Sequence, residues 1–233
     1  MNNATLIKRL TQINEDAQNN FIKQLIAELK DEELAKGFKG SDKTRLTLAR
    51  RLQNKMFNRG RPVLSLFHKI NDEQYVWCDT AILVKVDKDF VENGGLHTTD
   101  KDWVEIHKLY GNEYTKWKAN ETAYPNVDSV WLTGKPNVKT IDIDVKRLMD
   151  FINANKEQNY IKLIADDDTT INFDRQLFYN AMLLSNAYKR ERVVFSYVGT
   201  LKPIQIDDIA IITPIRYDGG ENYVSLDLRE ENN

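Results

Sequence analysis

The chain has 233 residues, of which 41% are hydrophobic and 10% are aromatic, and its formal net charge is -2. That much apolar material supplies a core, so the composition excludes a disordered chain. The nearly balanced charge provides no global attraction to nucleic acid, and any contact with DNA must come from local clusters of basic residues. The sequence has no run of about 20 apolar residues and lacks the order of a signal peptide, so we expect a cytoplasmic protein with no membrane partner.

Helical spacing of apolar residues dominates the first part of the chain. Over residues 4–38 this spacing predicts two helices, or one helix that is interrupted near Asn19. Ser41 and Asp42 are then predicted to cap a further helix that extends through about Asn58. The chain therefore begins with helices.

After Pro62 the apolar period changes from 3.6 to 2, which is typical of strands. A strand is predicted over 63–67, and two returning strands are predicted within 75–86. Residues 103–110 are interpreted as a helix. The polar stretch that ends at Pro125 is interpreted as a domain boundary.

The second half has a more regular order. A strand over 138–143 leads into a helix that starts at Val145, and a later helix carries Leu177 on its inner side. A hairpin meander follows over 193–215. Strand, helix and strand thus occur twice within 138–216, which suggests an internal repeat.

No pattern in the sequence indicates catalysis, so we expect no enzyme activity, no catalytic residues and no cofactor. The glycines do not form a phosphate loop, and the three histidines lie too far apart for a zinc motif. Asp166, Asp167 and Asp168 carry hard oxygen ligands that suit magnesium or calcium. Three adjacent carboxylates on a tight turn point in different directions, however, and Asp is common in turns. A solvated turn is therefore favoured over a metal site.

Three motifs follow one another in the C-terminal part of the sequence, between Phe173 and Arg216. A strand-entry residue, Phe173, opens a helix; a hairpin follows over 193–206; and an apolar-Pro-apolar-Arg strand ends at Arg216. In order and spacing this set resembles the end of the bacterial DNA polymerase III beta subunit, a sliding clamp. Residues 124–143 look similar to the junction between clamp domains, and residues 48–80 to the opening helix and hairpin of a first clamp domain.

The resemblance implies an α+β fold of DNA-clamp-like repeats, in which strand-helix-strand units form antiparallel sheets, preceded here by N-terminal helices. Residues 1–43 would form a helical extension, 44–123 a divergent clamp-like domain and 124–233 a C-terminal clamp-like domain. Two such domains per chain would assemble as a homotrimeric ring of six domains, as in two-domain phage clamps.

The resemblance also implies two binding sites. In clamps, pore-lining helices contact the phosphates of double-stranded DNA without reading bases. The basic residues on the matching helices here are Arg45, Arg50, Arg51, Lys55, Lys146, Arg147, Arg175, Lys189 and Arg190. Each of these could equally belong to an ordinary solvated helix face.

The second implied site is an apolar pocket that accepts peptides from DNA polymerases and clamp loaders. The matching positions are Asp174, Leu177, Leu201, Pro203, Ile211, Ile212, Thr213, Pro214, Ile215 and Arg216. The other wall of the pocket would come from Cys78, Asp79 and Thr80. The isoleucines could instead be core residues of a central strand.

Three functional hypotheses follow. The first is a phage or prophage-type processivity factor that binds duplex DNA and tethers a polymerase. The alternative is a clamp-like regulator that binds replication proteins without encircling DNA and uses residues 1–43 for its partners. The third is a metal-dependent nuclease or nucleotide-processing enzyme that uses the three aspartates Asp166, Asp167 and Asp168.

Overall fold

A computed structural model describes residues 3–17, 20–101, 103–107, 114–118, 123–216 and 222–229. The chain divides into two compact units, which are described separately. Unit 1 comprises residues 1–77 and 87–125, and unit 2 comprises residues 78–86 and 126–233. The predicted N-terminal extension thus falls in unit 1. No helix among the described residues is long and apolar enough to cross a membrane.

Two helices begin unit 1, as the apolar spacing predicts. Helix α1 spans Asn3–Ala17 and helix α2 spans Asn20–Ala35. The two helices pack against each other. A longer helix, α3, follows over Gly40–Asn58 and buries a stripe that includes Leu52 and Met56.

The predicted caps of α3 are wrong. The N-cap residue is Lys39, which makes no side-chain cap, so Ser41 and Asp42 lie inside the first turn. Gly40 has a φ of +53°, a left-handed conformation that glycine adopts without steric cost. The chain can therefore turn into the helix before it reaches the residues that usually cap one.

Residues 63–67 do not form the predicted strand. A 3-10 helix spans Pro62–Ser65, because proline fixes φ near the helical value and the Leu64 amide donates to the Arg61 carbonyl at 3.1 Å. Strand β1 (His68–Lys69) then pairs antiparallel with β2 (Gln74–Cys78).

The two predicted strands within 75–86 are confirmed by β2 and by β3 (Ile82–Asp87), whose residues 82–86 belong to unit 2. Helix α4 (Lys88–Asn93) follows. The helix predicted over 103–110 is wrong at its start, since β4 (Trp103–His107) pairs antiparallel with β5 (Tyr114–Lys118). The Val- and Ile-rich sequence of β4 favours a strand, and residues 108–110 lie outside the described residues.

The main sheet of unit 2 is antiparallel, as predicted. It contains β3 with β6 (Lys139–Asp144), β9 (Arg192–Tyr197), β10 (Ile204–Ile206) and β11 (Ala210–Ile212). The strand order is β3-β11-β10-β9-β6, and each pair in it is antiparallel. Strand β11 is therefore a central strand.

The strand-helix-strand order occurs twice in unit 2. The first copy is β6, helix α5 (Val145–Ala154) and β7 (Tyr160–Ile164). The second is β8 (Thr170–Asp174), helix α6 (Arg175–Leu184) and β9. The α+β class is thus confirmed.

A second sheet of unit 2 has the strand order β12-β7-β8. Strands β7 and β8 pair antiparallel, whereas β12 (Tyr223–Asp227) pairs with β7 in parallel. No sequence pattern predicted β12. An aromatic cluster lies in the core of unit 2, where the ring of Phe178 lies 5.5 Å from that of Phe173 and 5.8 Å from that of Phe195.

Candidate nucleic-acid and peptide interface

Helix α3 carries four of the basic residues that the sequence assigned to DNA, but two of them lie on its buried side. Arg45 is only 3% exposed, and its guanidinium carbon lies 3.9 Å from the ring centroid of Phe90. A cation over an aromatic ring is attracted by the ring's quadrupole. Arg45 is therefore a core residue of unit 1, which corrects the prediction that it faces DNA.

The Arg50 side chain also makes its contacts within unit 1. Its guanidinium donates to the carbonyls of Asp31 and Gly94, both at 2.9 Å, and lies 3.6 Å from the Asp31 carboxylate. Burial lowers the pKa of Arg50, while the Asp31 charge acts in the opposite direction. The side chain joins α3 to α2 and to the end of α4, which corrects the prediction that Arg50 contacts DNA.

Arg51 and Lys55 occupy the solvent side of α3. Lys43 and Arg59 are exposed as well, and all of these residues are spaced by multiples of four along the chain. Neighbours four apart lie close together on a helix, and each step of four turns the position by about 40°, so this row winds along the exposed part of α3 and ends at its C-cap residue, Arg59. We call Lys43, Arg51, Lys55 and Arg59 the basic face of α3. Lys43 and Arg59 were not among the residues predicted to contact DNA, although the four-residue spacing could have identified them.

The predicted basic residues on α5 have acceptors close by. Lys146 donates to the Asp150 carboxylate at 2.6 Å, and this hydrogen bond raises the pKa of Lys146. Arg147 donates to the backbone carbonyl of Asp227 at 3.4 Å. The positive charge on α5 is thus partly compensated inside unit 2.

Two of the predicted basic residues near α6 also have acceptors close by. Arg175 donates through Nε to the Gln158 carbonyl at 2.8 Å, and Arg190 forms an ion pair with Asp207. Lys189 is exposed. Among the described residues, none of the ion pairs involves the basic face of α3, whereas Lys146 and Arg190 each pair with a carboxylate.

A polar groove of about 670 Å³ lies between α5 and residues 188–192. Its charged lining residues are of both signs. They are Lys146, Arg190, Arg192, Asp144, Asp150 and Glu191. Because the two signs are balanced, the groove does not favour an anion.

The residues predicted for the peptide pocket differ in their exposure to solvent, and those on β11 are buried. Ile211 and Ile212 lie on β11, between β10 and β3, and are 4% and 0% exposed. Both are core residues, so the prediction that they contact a peptide is corrected. The strand ends at Ile212, and Pro214, which lacks a backbone donor, follows outside any strand or helix.

Residues 213–216, the segment Thr213–Arg216, are partly accessible to solvent. Its first three residues are half-buried and Arg216 is exposed. The amide of Ile215 donates to the Asn172 carbonyl at 2.8 Å, which fixes the segment beside β8. Asp174 ends β8 and accepts a hydrogen bond from the Leu177 amide at 2.8 Å, so its carboxylate caps α6.

The apolar residues of the predicted peptide pocket that lie outside β11 differ in their exposure to solvent. Leu201 is 54% exposed, and Leu177 and Pro203 are half-buried. Helix α6 packs against β11, so Leu177 and the segment Thr213–Arg216 lie on neighbouring elements. These residues offer apolar surface beside residues 213–216.

The turn at residues 78–81 reaches the same segment. Thr213 donates to the Ala81 carbonyl through both its amide and its hydroxyl, at 2.8 and 2.9 Å. Asp79 accepts hydrogen bonds from the amides of Ala81 and Ile82. Thr80, between them, has a φ of 81°. The structure thus brings the predicted pocket wall next to the closing segment.

The three consecutive aspartates form the turn that the sequence favoured. Asp167 forms an ion pair with Lys139 and accepts a hydrogen bond from the Tyr197 hydroxyl at 3.2 Å. The Lys139 contact holds the pKa of Asp167 well below its usual range. Asp168 pairs with Arg229 at 2.5 Å. Across the described residues, no group of three or more His, Cys, Asp or Glu side chains could hold a metal ion.

Bacterial sliding clamps are among the solved structures that resemble this chain. The DNA polymerase III beta chain of Streptococcus pneumoniae TIGR4 is 16% identical, with a TM-score of 0.47, over 72% of this chain and 63% of that one. The beta subunit from DNA polymerase of Streptococcus pyogenes is 16% identical, with a TM-score of 0.46, over 74% and 63%. The DNA polymerase sliding clamp of Bacillus subtilis is 13% identical, with a TM-score of 0.49, over 74% and 63%.

The match spans less than two thirds of the length of each of these clamps. No protein-family model matches the sequence, and no curated protein matches it. The chain is thus similar in structure to bacterial sliding clamps, at identities of 13% to 16%.

Proposed function

We propose that this chain is a clamp-like, non-catalytic protein of DNA replication that binds duplex DNA without sequence specificity. The basic face of α3 is the observation that supports this function. Its cations are exposed and regularly spaced, and among the described residues they take part in no ion pair. A row of exposed cations along a helix and its C-cap suits a polyanion.

The chemistry of this face favours phosphates over bases. Lysine and arginine that neutralise phosphates release counterions, which gives affinity that does not depend on sequence. Base recognition needs side chains that enter a groove and match base edges. The remaining exposed side chain on the face is Thr47, whose hydroxyl already donates to the Lys43 carbonyl at 2.9 Å. Arginine and lysine can also contact guanine in the major groove, so the comparison of unrelated duplexes decides whether binding is independent of sequence.

The salt dependence of DNA binding tests this proposal. We expect the double variant Arg51→Ala and Lys55→Ala to lower the slope of log affinity against log salt by about 0.9 for each lost phosphate contact. Fluorescence anisotropy with two unrelated duplexes gives the slope and the sequence dependence. The matched control is the double variant Lys156→Ala and Lys202→Ala, which removes two exposed lysines from unit 2. An unchanged slope in the α3 variant would remove this face from the proposal.

We further propose that the surface formed by Leu177, Leu201, Pro203 and the segment Thr213–Arg216 captures a short peptide from a DNA polymerase or a clamp loader. The Thr213 and Ile215 amides are bound within the chain and fix the course of the segment, while the half-buried apolar side chains beside it offer contacts that a peptide can bury. A few such contacts commonly carry most of the affinity of an interface.

A charge introduced at Leu177 tests this surface. We expect Leu177→Glu to weaken capture of a cognate polymerase peptide by at least about tenfold, because a charge cannot enter an apolar contact without loss of hydration. Calorimetry measures the affinity, and a thermal melt shows whether the variant is folded. Val130→Glu is the matched control, since Val130 is an exposed apolar residue elsewhere in unit 2. Equal peptide affinity in the folded Leu177→Glu variant would contradict the proposal.

A second function, a clamp-like regulator that does not encircle DNA, is favoured by one observation. Lys146 and Arg190 pair with Asp150 and Asp207, and Arg147 and Arg175 donate to backbone carbonyls, so most of the cations predicted to line a DNA pore in unit 2 are already engaged. In the leading proposal the chain forms a homotrimeric ring. In the alternative it acts as a smaller assembly that binds replication proteins, and the mass in solution separates the two.

A further inference from the structure

Asn93 and Gly94 are the single place in the sequence where glycine follows asparagine. Asn93 is exposed and is the last residue of α4, and Gly94 is the C-cap residue of that helix. Asparagine is a chemically labile residue. It is most labile before glycine, because glycine has no side chain to hinder the approach of its backbone nitrogen to the asparagine amide. The pair therefore places a reactive amide at the surface of unit 1.

Close packing requires glycine at both positions that follow Asn93. A Cβ atom at Gly94 would lie 2.6 Å from the Phe90 carbonyl oxygen. A Cβ atom at Gly95 would lie 2.4 Å from Leu34 Cδ1, and Gly95 has a φ of +60°, which glycine adopts without steric cost. The packing of unit 1 thus needs the glycine that makes Asn93 reactive.

The two glycines lie where α2 is attached. The Gly94 carbonyl accepts a hydrogen bond from the Arg50 guanidinium at 2.9 Å, and the same guanidinium donates to the Asp31 carbonyl of α2. Leu34, which is also on α2, occupies the space beside Gly95. The course of the backbone at residues 94–95 therefore helps to hold the last turn of α2.

One hydrogen bond protects the pair in the folded chain. The Gly94 amide donates to the Phe90 carbonyl at 3.1 Å, which keeps its nitrogen away from the side chain that precedes it. Helix α4 has only six residues, and hydrogen bonds at the end of a short helix open locally without unfolding of the whole domain. The reaction therefore proceeds from the locally opened end of α4.

We propose that Asn93 is a site of spontaneous deamidation and that the isoaspartate product loosens α2. The Gly94 nitrogen loses its proton to water and forms a bond with Cγ of Asn93, and the side-chain amide leaves as ammonia. Water then opens the cyclic imide at either carbonyl, which yields aspartate or isoaspartate. Isoaspartate lengthens the backbone before Gly94 by one C–C bond, about 1.5 Å, so the contacts of residues 94–95 with Arg50 and Leu34 are displaced.

Ageing of the full chain tests the site. The protein is kept in warm, mildly alkaline buffer and digested, and mass spectrometry then follows each asparagine-containing peptide. We expect loss of the amide at Asn93 and its retention at Asn137, which is exposed in a turn of unit 2 and precedes valine. Asn93→Gln is the matched control and should keep its amide, because the longer side chain closes a ring less readily. If Asn93 keeps its amide, or if Asn137 loses its own equally fast, the proposal is overturned.

The effect on α2 is measured on the same aged chain. Methyltransferase labelling gives its isoaspartate content, and hydrogen exchange by mass spectrometry reports on residues 31–35. We expect faster exchange there in the isoaspartate form. Asn93→Asp carries the same charge on a normal backbone, so its exchange should equal that of the unmodified chain. Unchanged exchange in the isoaspartate form, or equally fast exchange in Asn93→Asp, would contradict the proposed displacement of residues 94–95.

Discussion

Single residues decide which charges of this chain are available to a partner. Arg45 and Arg51 are both basic residues of α3, yet one lies against Phe90 in the core and the other faces water. The periodicity of α3 predicts a buried stripe, but it does not reveal that an arginine belongs to that stripe. The sequence therefore identified Arg51 and Lys55 as accessible cations and misassigned Arg45, because its aromatic partner comes from a different helix.

Thr80 is strained in a way that can be measured. Its φ of 81° is left-handed, where an L-residue costs roughly 1–2 kcal/mol and a β-branched one is least tolerated. Asn adopts this region more easily, so we expect Thr80→Asn to raise the free energy of unfolding by about 1 kcal/mol and the melting temperature by about 2–4 °C. Thr200→Asn, at an exposed threonine outside the left-handed region, should change neither quantity. A destabilised Thr80→Asn variant would show that the hydroxyl or methyl group makes a necessary contact.

Among the elements, the two strand-helix units of unit 2 were the most predictable. Each joins a strand with period-two burial to a helix with period-3.6 burial, and both periods are visible in the sequence. The elements that were missed lack such a signal. The 3-10 helix at Pro62–Ser65 is an apolar run that reads like a strand, and β12 is a short strand whose position depends on its pairing with the distant β7.

The two aspartate caps should contribute equally to their helices. Asp144 accepts a hydrogen bond from the Arg147 amide at 2.7 Å, and Asp174 accepts one from the Leu177 amide at 2.8 Å. We expect Asp144→Ala and Asp174→Ala each to lower the free energy of unfolding by about 1 kcal/mol, since an uncapped amide at a helix start loses its acceptor. Urea unfolding monitored by circular dichroism measures the loss.

Asparagine is the matched control at both positions, because it caps helices about as well as aspartate. Asp144→Asn and Asp174→Asn should retain most of the stability. If asparagine costs as much as alanine, the carboxylate charge matters more than the hydrogen bond.

At the scale of the whole molecule, the number of chains in solution separates the two proposed functions. A closed ring of six clamp-like domains requires three chains, so we expect a mass three times the 27.1 kDa of one chain. Light scattering coupled to size exclusion, at several protein concentrations, measures it. A mass of a single chain at every concentration would contradict the ring and support the regulator.

Sequence order and compact units do not coincide in this chain, because β3 comes from the first half of the sequence and completes the main sheet of unit 2. Leu83 pairs with Ile211, near the opposite end of the chain. A ribosome therefore synthesises β3 long before β11. The pair of β3 and β11 cannot form until the more than one hundred residues between them have been made. Pairings of such long sequence separation are slow to form. Until β11 is made, the edge of β3 that β11 covers lacks its native partner, so we expect folding to be slow and to benefit from chaperones.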